Sequence, residues 1–295
     1  MVKTSSESAV PLKRRRELSI ALPASFVSDV PHLREQTFRT GLVGRAAAIF
    51  RVDEVVVFPD FPEIDQRRDA DLIATILSYM ETPQYLRKRL FKIQPGLKYA
   101  GVLPPLRTPH HPLEDRAEDL KVGEYRDGVV LRSSQEGTFV DIGVGQPALI
   151  EDKRLQANVR VTVKITDISK QPRVVLVDRK EIQVYWGFKV IVSSKPFGRL
   201  VKARQFDLVV ATSRKGKSLD AVLDELAKRW KESNKILVAF GAPTQGLYEI
   251  VAHEGLNLEE LTDFVVNTLP NQGTGTVRTE EALCASLAIL NTLRE

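Results

Sequence analysis

The chain has little of what metal, redox and secretory chemistry require. One cysteine, Cys284, stands among 295 residues, so no intramolecular disulfide and no multi-cysteine metal site can form. Histidine is scarce too, with four in all. His110 and His111 are adjacent, so on an extended chain they point apart, and no Cys, Asp or Glu completes a set at ligand spacing; no metal is expected. No apolar run approaches the length of a membrane span. The N-terminus carries Lys13-Arg14-Arg15-Arg16 without an apolar stretch ahead of a cleavage site. These absences lead to the expectation of a cytoplasmic protein with no membrane partner. Cys284 falls on the apolar side of the last periodic segment and is expected in the core.

What is present is an ordinary globular composition, 43% hydrophobic, on a chain long enough for two domains. The net charge of +5 is gathered into clusters at residues 13–16, 87–89 and 214–217. Lysine and arginine gain by displacing counterions from phosphates, so a polyanionic partner, RNA, is expected.

Residues 1–12 are polar and read as a disordered tail. A strand at 18–22, a helix at 32–50 and a strand at 54–58 make a β-α-β start, which predicts a parallel sheet. Helices follow at 70–80 and 83–91. From Pro104 the texture changes to prolines, acidic residues and then five short alternating runs separated by glycine turns, at 128–131, 137–143, 148–150, 160–165 and 173–177. That pattern predicts a small barrel. The α/β rhythm resumes with a strand at 185–192. A strand at 207–211, a basic turn, a helix at 219–230, a strand at 235–240 and a strand ending at Leu269 complete it. A glycine-rich polar loop then leads into a helix capped by Thr279. The barrel, 106–182, therefore interrupts one α/β domain made of 13–105 and 183–295.

Residues 211–218, ATSRKGKS, fit a relaxed phosphate-loop pattern between strand and helix. Ala211 replaces the strict first glycine, and no later strand ends in a magnesium-binding aspartate. A P-loop-like nucleotide-binding protein is the lesser alternative.

Three segments carry a resemblance. Residues 267–290, NTLPNQGTGTVRTEEALCASLAIL, resemble the C-terminal knot motif of the SPOUT (α/β-knot) RNA methyltransferases, in the archaeal and eukaryotic branch with an OB-fold insertion. Residues 241–247, GAPTQGL, are similar to the second motif of that superfamily. Residues 45–54, RAAAIFRVDE, resemble the first, with Arg45 on the motif arginine and Val52 on the valine, while the motif asparagine falls near Arg39. Residues 128–146 are similar to the opening of S1-type OB-folds.

The resemblance implies an α/β fold with a trefoil-knotted parallel sheet, an inserted OB-like barrel, and S-adenosylmethionine held by Thr212, Ser213, Gly241, Gly246, Asn267, Leu269, Gln272 and Thr274. Pro243 replaces the glutamate of the ribose-methylating branch, and Arg278 and Glu280 replace its asparagine and serine. Methylation of a base is therefore expected, with uridine N3 of ribosomal RNA favoured by the resemblance. Uracil N3 carries a weakly acidic proton, so the site needs a base and a cation. Glu280 or Glu281 is the candidate base, and Arg45 or Arg278 the stabiliser; Glu281 reads equally as a helix-capping carboxylate. Arg214, Lys215 and Lys217 are candidate RNA contacts. Arg132, Phe139, Arg154 and Arg160 are the same for the barrel, Phe139 being equally readable as barrel core.

A homodimer is implied, with the cofactor loops of one subunit against the first helix of the other. The stripe Leu283, Leu287, Leu290 and Leu293, flanked by alanines, suits close helix packing. The non-enzymatic alternative is an RNA-binding adaptor on the same scaffold.

Overall fold

The structure is a computed structural model that describes residues 10–151, 153–204 and 206–293. In chain order the elements are β1 (Glu17–Pro23), α1 (Leu33–Ile49), β2 (Glu54–Phe58), α2 (Arg67–Glu81), α3 (Gln84–Leu90), β3 (Tyr125–Ser134), β4 (Gly137–Asp141), β5 (Ala148–Ile150), β6 (Arg160–Asp167), β7 (Arg173–Leu176), β8 (Lys189–Val192), α4 (Phe197–Ala203), β9 (Leu208–Ser218), α5 (Leu219–Glu232), β10 (Lys235–Ala239), α6 (Leu247–Ala252), α7 (Leu258–Leu261), β11 (Phe264–Asn267) and α8 (Thr279–Leu290).

They divide into two compact units. One comprises 14–81, 93–106 and 187–295, the other 82–92 and 107–186 with the described residues up to 13. Residues 1–9 of the expected tail lie outside the described residues. Its end does not follow the expectation, since Leu12 forms a β-bridge with Val184 and Tyr185 donates its amide to the Pro11 carbonyl.

The α/β unit holds a six-stranded sheet in the order β11-β9-β10-β1-β2-β8, parallel at every pairing. β1 lies near the middle, which is why ELSIALP reads as a nearly unbroken apolar run: both faces of the strand are covered. One layer of core joins Val43 and Ala47 of α1, Ile73 and Leu77 of α2, Leu226 and Trp230 of α5 and Leu283 and Leu287 of α8 to that sheet. In α5 the buried residues Leu219, Val222, Leu226 and Trp230 recur every three or four positions, and the stripe carries the helix onto the sheet. Ser233 ends it, its hydroxyl donating to the Arg229 carbonyl.

The second unit is a closed barrel in the order β3-β4-β5-β7-β6, and its five strands fall on the five alternating runs. Val130, Val140, Ile142, Val163 and Ile165 fill it. Asp127, fully buried, accepts bonds from Trp186 Nε1 at 2.9 Å and Thr162 Oγ1 at 2.8 Å, and pairs with Arg160 and Arg179. Burial alone would raise its carboxyl, but the two guanidiniums hold it well below the usual carboxylate range. Trp186 belongs to this unit, so the strand expected at 185–192 begins only at Lys189.

Three local expectations are corrected. The stretch expected as a basic turn, and as a phosphate loop in the alternative reading, is part of β9, which runs without a helix to Ser218. Cys284 is exposed rather than in the core, because the buried stripe of α8 is Leu283, Ser286, Leu287 and Leu290. The N-cap of that helix is Arg278, not Thr279.

Candidate functional site

Parallel sheets bind ligands beyond the carboxyl ends of their strands. Here β9, β10 and β11, three neighbours in the sheet, send their chains into one cleft of about 400 Å³.

The first wall is an excursion within β9. Val265 of β11 pairs with Ala211, and the next residue, Val266, pairs with Lys217, so residues 212–216 are extruded. The chain returns at Gly216, where a Cβ would lie 2.7 Å from the Val265 carbonyl oxygen; no other residue allows that approach. Within the excursion Thr212 Oγ1 donates to the Ala239 carbonyl at 2.9 Å, and Arg214 Nη1 reaches the Gly275 carbonyl at 2.7 Å.

The second wall is the loop after β10. Ala242 donates its amide to the Gln245 carbonyl, closing the loop on itself. A Cβ on Gly241 would lie 3.0 Å from the Gly246 Cα, so any other residue would push the loop open by a few tenths of an ångström. The third wall is the polar loop between β11 and α8. Asn267 accepts from the Leu269 amide and donates to the Arg214 carbonyl, and Gln272 Nε2 donates to the Thr274 carbonyl at 2.9 Å. Thr279 Oγ1 donates to the Gly241 carbonyl at 2.8 Å and ties the third wall to the second.

Glu249 is the one carboxylate among the described lining residues. Its hydrogen bond from Lys215 Nζ, 2.5 Å long, holds it below the ordinary carboxylate range. The cleft thus offers backbone amides, hydroxyls and amides of side chains, two cations and one anion.

Of the residues expected to hold a cofactor, Thr212, Ser213, Gly241, Gly246, Asn267, Leu269 and Gln272 line this cleft, while Thr274 contributes only the carbonyl that fixes Gln272. Arg214 and Lys215, expected on RNA, line the same cleft; Lys217 is exposed beyond the excursion. In the barrel unit Arg132 and Arg154 are exposed. Phe139 is buried at 7% exposure, with the Arg132 guanidinium 4.3 Å over its ring, and Arg160 is engaged with Asp127.

The expected catalytic side chains are not gathered in the lining. Arg45 donates to the carbonyls of Pro105 and Leu106 at 2.9 and 2.6 Å. Arg278 is exposed between two lining residues, Val277 and Thr279. Its amide donates to Glu281 Oε2 at 3.0 Å, so Glu281 does the capping.

Glu280 is buried, with Oε1 3.4 Å from Arg39 Nε. Arg39, at the position where the resemblance has an asparagine, is itself buried and spends Nη1 on Asp29 and Nη2 on Glu35. Only its Nε faces Glu280, without hydrogen-bond geometry, and Glu280 Oε2 has no hydrogen-bond partner among the described residues. Burial therefore raises the Glu280 carboxyl above its ordinary value against the pull of its own backbone amide and of Arg39.

Sequence reasoning missed Arg39, Glu249 and Gln245. Nothing local distinguishes a cleft carboxylate on a short helix from a surface one. Arg39 did leave a signal, as the position where α1 departs from the motif.

The α/β unit is a parallel sheet that gathers three chain segments round one cleft, and the second unit is a closed five-stranded barrel. Residues 17–290 match the family described as "Putative RNA methyltransferase", and the chain belongs to that family. A Drosophila melanogaster protein named 28S rRNA (uridine-N(3))-methyltransferase is 36% identical over 92% of this chain and 61% of its own length. A human protein of the same name is 34% identical over 92% of this chain and 77% of its own. An uncharacterized protein of Haloarcula marismortui is 34% identical over 92% of this chain and 98% of its own. The chain thus spans about three fifths of the fly relative and nearly all of the archaeal one.

Proposed function

We propose that this protein transfers the methyl group of S-adenosylmethionine to N3 of a uridine in ribosomal RNA. The observation that carries the reading is the convergence of the excursion within β9 and the loops after β10 and β11 on one cleft. The names of the fly and human relatives support the acceptor.

The residues present suit such a donor. The cleft volume lies within the range of nucleoside sites. Gly241 lets the second loop fold closely on its own backbone, Arg214 and Lys215 are cations for a carboxylate, and Glu249 is an acceptor for hydroxyls. When bound, the donor supplies a methyl group activated by a sulfonium. The protein's part is to hold the two reactants in line and to manage one proton.

Glu280 is the proposed base. Burial raises its carboxyl, and its buried Oε2, without a hydrogen-bond partner among the described residues, keeps a lone pair uncommitted. Arg39 stands behind it to stabilise the ionised form. Arg278 or Arg45 is the proposed cation for the uracil anion.

A trefoil knot formed by the segment from β11 through α8 belongs to this reading, as does a homodimer. The leucine stripe of α8 is core and does not supply the dimer face. α1 presents one instead: Phe38, Leu42 and Ile49 are exposed at helical spacing, with Arg45 between them. RNA binding by Arg132 and Arg154 of the barrel, and a cytoplasmic location, complete the proposal.

Calorimetry with S-adenosylhomocysteine on the native protein and on Gly241→Val tests the cleft. Binding in the native protein and its loss in a folded variant are expected, and equal affinity in both refutes the assignment. Nucleoside analysis of ribosomal RNA treated with the protein and donor identifies the methylated atom.

A further inference from the structure

Behind the second wall of the cleft lies a buried polar network that none of the roles above uses. Asp60 follows β2 and is 2% exposed. Its carboxylate accepts from Ser25 N at 3.2 Å and Ser25 Oγ at 2.5 Å, from Gln66 Nε2 at 2.9 Å, and from Gln245 Nε2 at 3.0 Å. Gln66 is held in turn, its Oε1 accepting from the amides of Asp60 and Phe61 at 2.8 and 3.0 Å. Gln245, a lining residue of the cleft, passes the network on: its Oε1 lies 3.2 Å from His253 Nε2, at the end of α6.

The direction of every bond follows from one fact, that an ionised carboxylate only accepts. Because Asp60 cannot donate, Gln245 must turn its NH₂ toward it. The Gln245 oxygen then faces His253, and His253 must carry its proton on Nε2. A side-chain amide is otherwise symmetric enough to sit either way round. The same residue closes the loop through its backbone, where the Gln245 carbonyl accepts from Ala242. The far side of the loop is held by Thr279 on the Gly241 carbonyl. The loop of residues 241–246 is thus clamped at both ends, by α8 at Gly241 and by Asp60 at Gln245.

We propose that Asp60 is a positioning residue for cofactor binding, acting through Gln245 to fix the second loop in the shape that accepts the nucleoside. The inference rests on reading the cleft as the donor site. It assigns to a carboxylate buried on the opposite side of the loop the task of holding backbone that itself touches ligand. Preorganisation of this kind lowers the ordering cost paid on binding.

The test is a double-mutant cycle read by S-adenosylhomocysteine affinity, with Asp60→Asn, Gln245→Ala and the pair, all verified as folded by circular dichroism. Loss of one charge-assisted bond predicts affinity weakened by roughly tenfold in Asp60→Asn. Gln245→Ala should weaken it similarly, and the pair no more than either alone. Full additivity, or unchanged affinity in Asp60→Asn, overturns the proposal.

A second readout does not depend on stability. An asparagine at 60 can donate, so Gln245 is free to reverse and present its NH₂ to His253. Nitrogen-15 spectra of labelled histidine, taken where the ring is neutral, should show the His253 proton moving from Nε2 toward Nδ1 in Asp60→Asn. An unchanged tautomer also overturns the proposal. Gly241→Val distinguishes this outcome from failure of the site itself. If Gly241→Val leaves affinity intact the cleft is not the donor site, whereas if it abolishes binding while Asp60→Asn does not, only the positioning role falls.

Discussion

The Thr279 hydroxyl donates to the Gly241 carbonyl at 2.8 Å, so the first residue of α8 is fastened to the loop that follows β10, 38 residues earlier in the chain. A residue placed to cap its own helix instead joins two walls of the cleft.

Thr279→Val keeps the shape and removes the donor. The half-buried Gly241 carbonyl then loses its partner, a cost of about 0.5–1.5 kcal/mol. We expect a lowered midpoint in urea denaturation and weaker S-adenosylhomocysteine binding by calorimetry, whereas Thr279→Ser should retain both. Equal affinity in native protein and Thr279→Val would remove the clamp from the description of the site.

Glu280 makes stability depend on pH. Its folded carboxyl is raised above the unfolded value, so at a pH below both values neither state is ionised and no penalty is paid. As pH rises through the folded value, the fold must ionise a buried group and loses stability relative to the unfolded chain. Glu280→Gln removes that penalty. Thermal midpoints measured from about pH 4 to about pH 7 should move in favour of the variant as pH increases, and a difference independent of pH would contradict the assignment.

Asp127 anchors the barrel. Removing it leaves the Arg160 and Arg179 charges without their shared acceptor and Trp186 Nε1 without a partner. Breaking a buried ion pair from one side costs roughly 3–5 kcal/mol, enough to unfold a small barrel. Asp127→Ala should therefore expose the β3–β7 region to protease. Protection equal to that of the native protein would show that the network is dispensable.

The exposed stripe of α1 is the proposed dimer face, and Ile49→Glu with Leu42→Glu tests it. Sedimentation should find the native protein as a dimer and the double variant as a monomer. A native monomer at micromolar concentration would end the proposal of a homodimer.

The parallel sheet and the barrel were legible because each writes its period into the chain. β1 is apolar at almost every position because it is covered on both faces, and the barrel strands alternate between glycine turns. The cleft was legible where glycine made it so, at Gly241 and Gly246. What could not be read were matters of long-range pairing. The turn expected after Ala211 is a strand excursion because β11, some fifty residues later, pairs on both sides of it. Cys284 misled because α8 is apolar nearly all round, so its spacing does not reveal which side meets the sheet. Glu280 reads as a first-turn carboxylate, favourable to any helix dipole, and only the fold buries it against Arg39. The hydrogen-bond chain from Asp60 to His253 spans three separate segments and leaves no local trace.

The pairing of Glu17 with Lys235 at the middle of the sheet has a consequence for synthesis. β1 leaves the ribosome before β10 and finds β2 within the next few dozen residues, but its other edge must wait for β10. At about 5–20 residues per second that interval is on the order of ten seconds or more. Throughout it, one edge of an apolar strand, Leu18 to Leu22, is unpaired and able to associate with other chains. The nascent protein is therefore most exposed to aggregation while the barrel is being made, and its yield in cells should follow the supply of chaperones that bind short apolar strands.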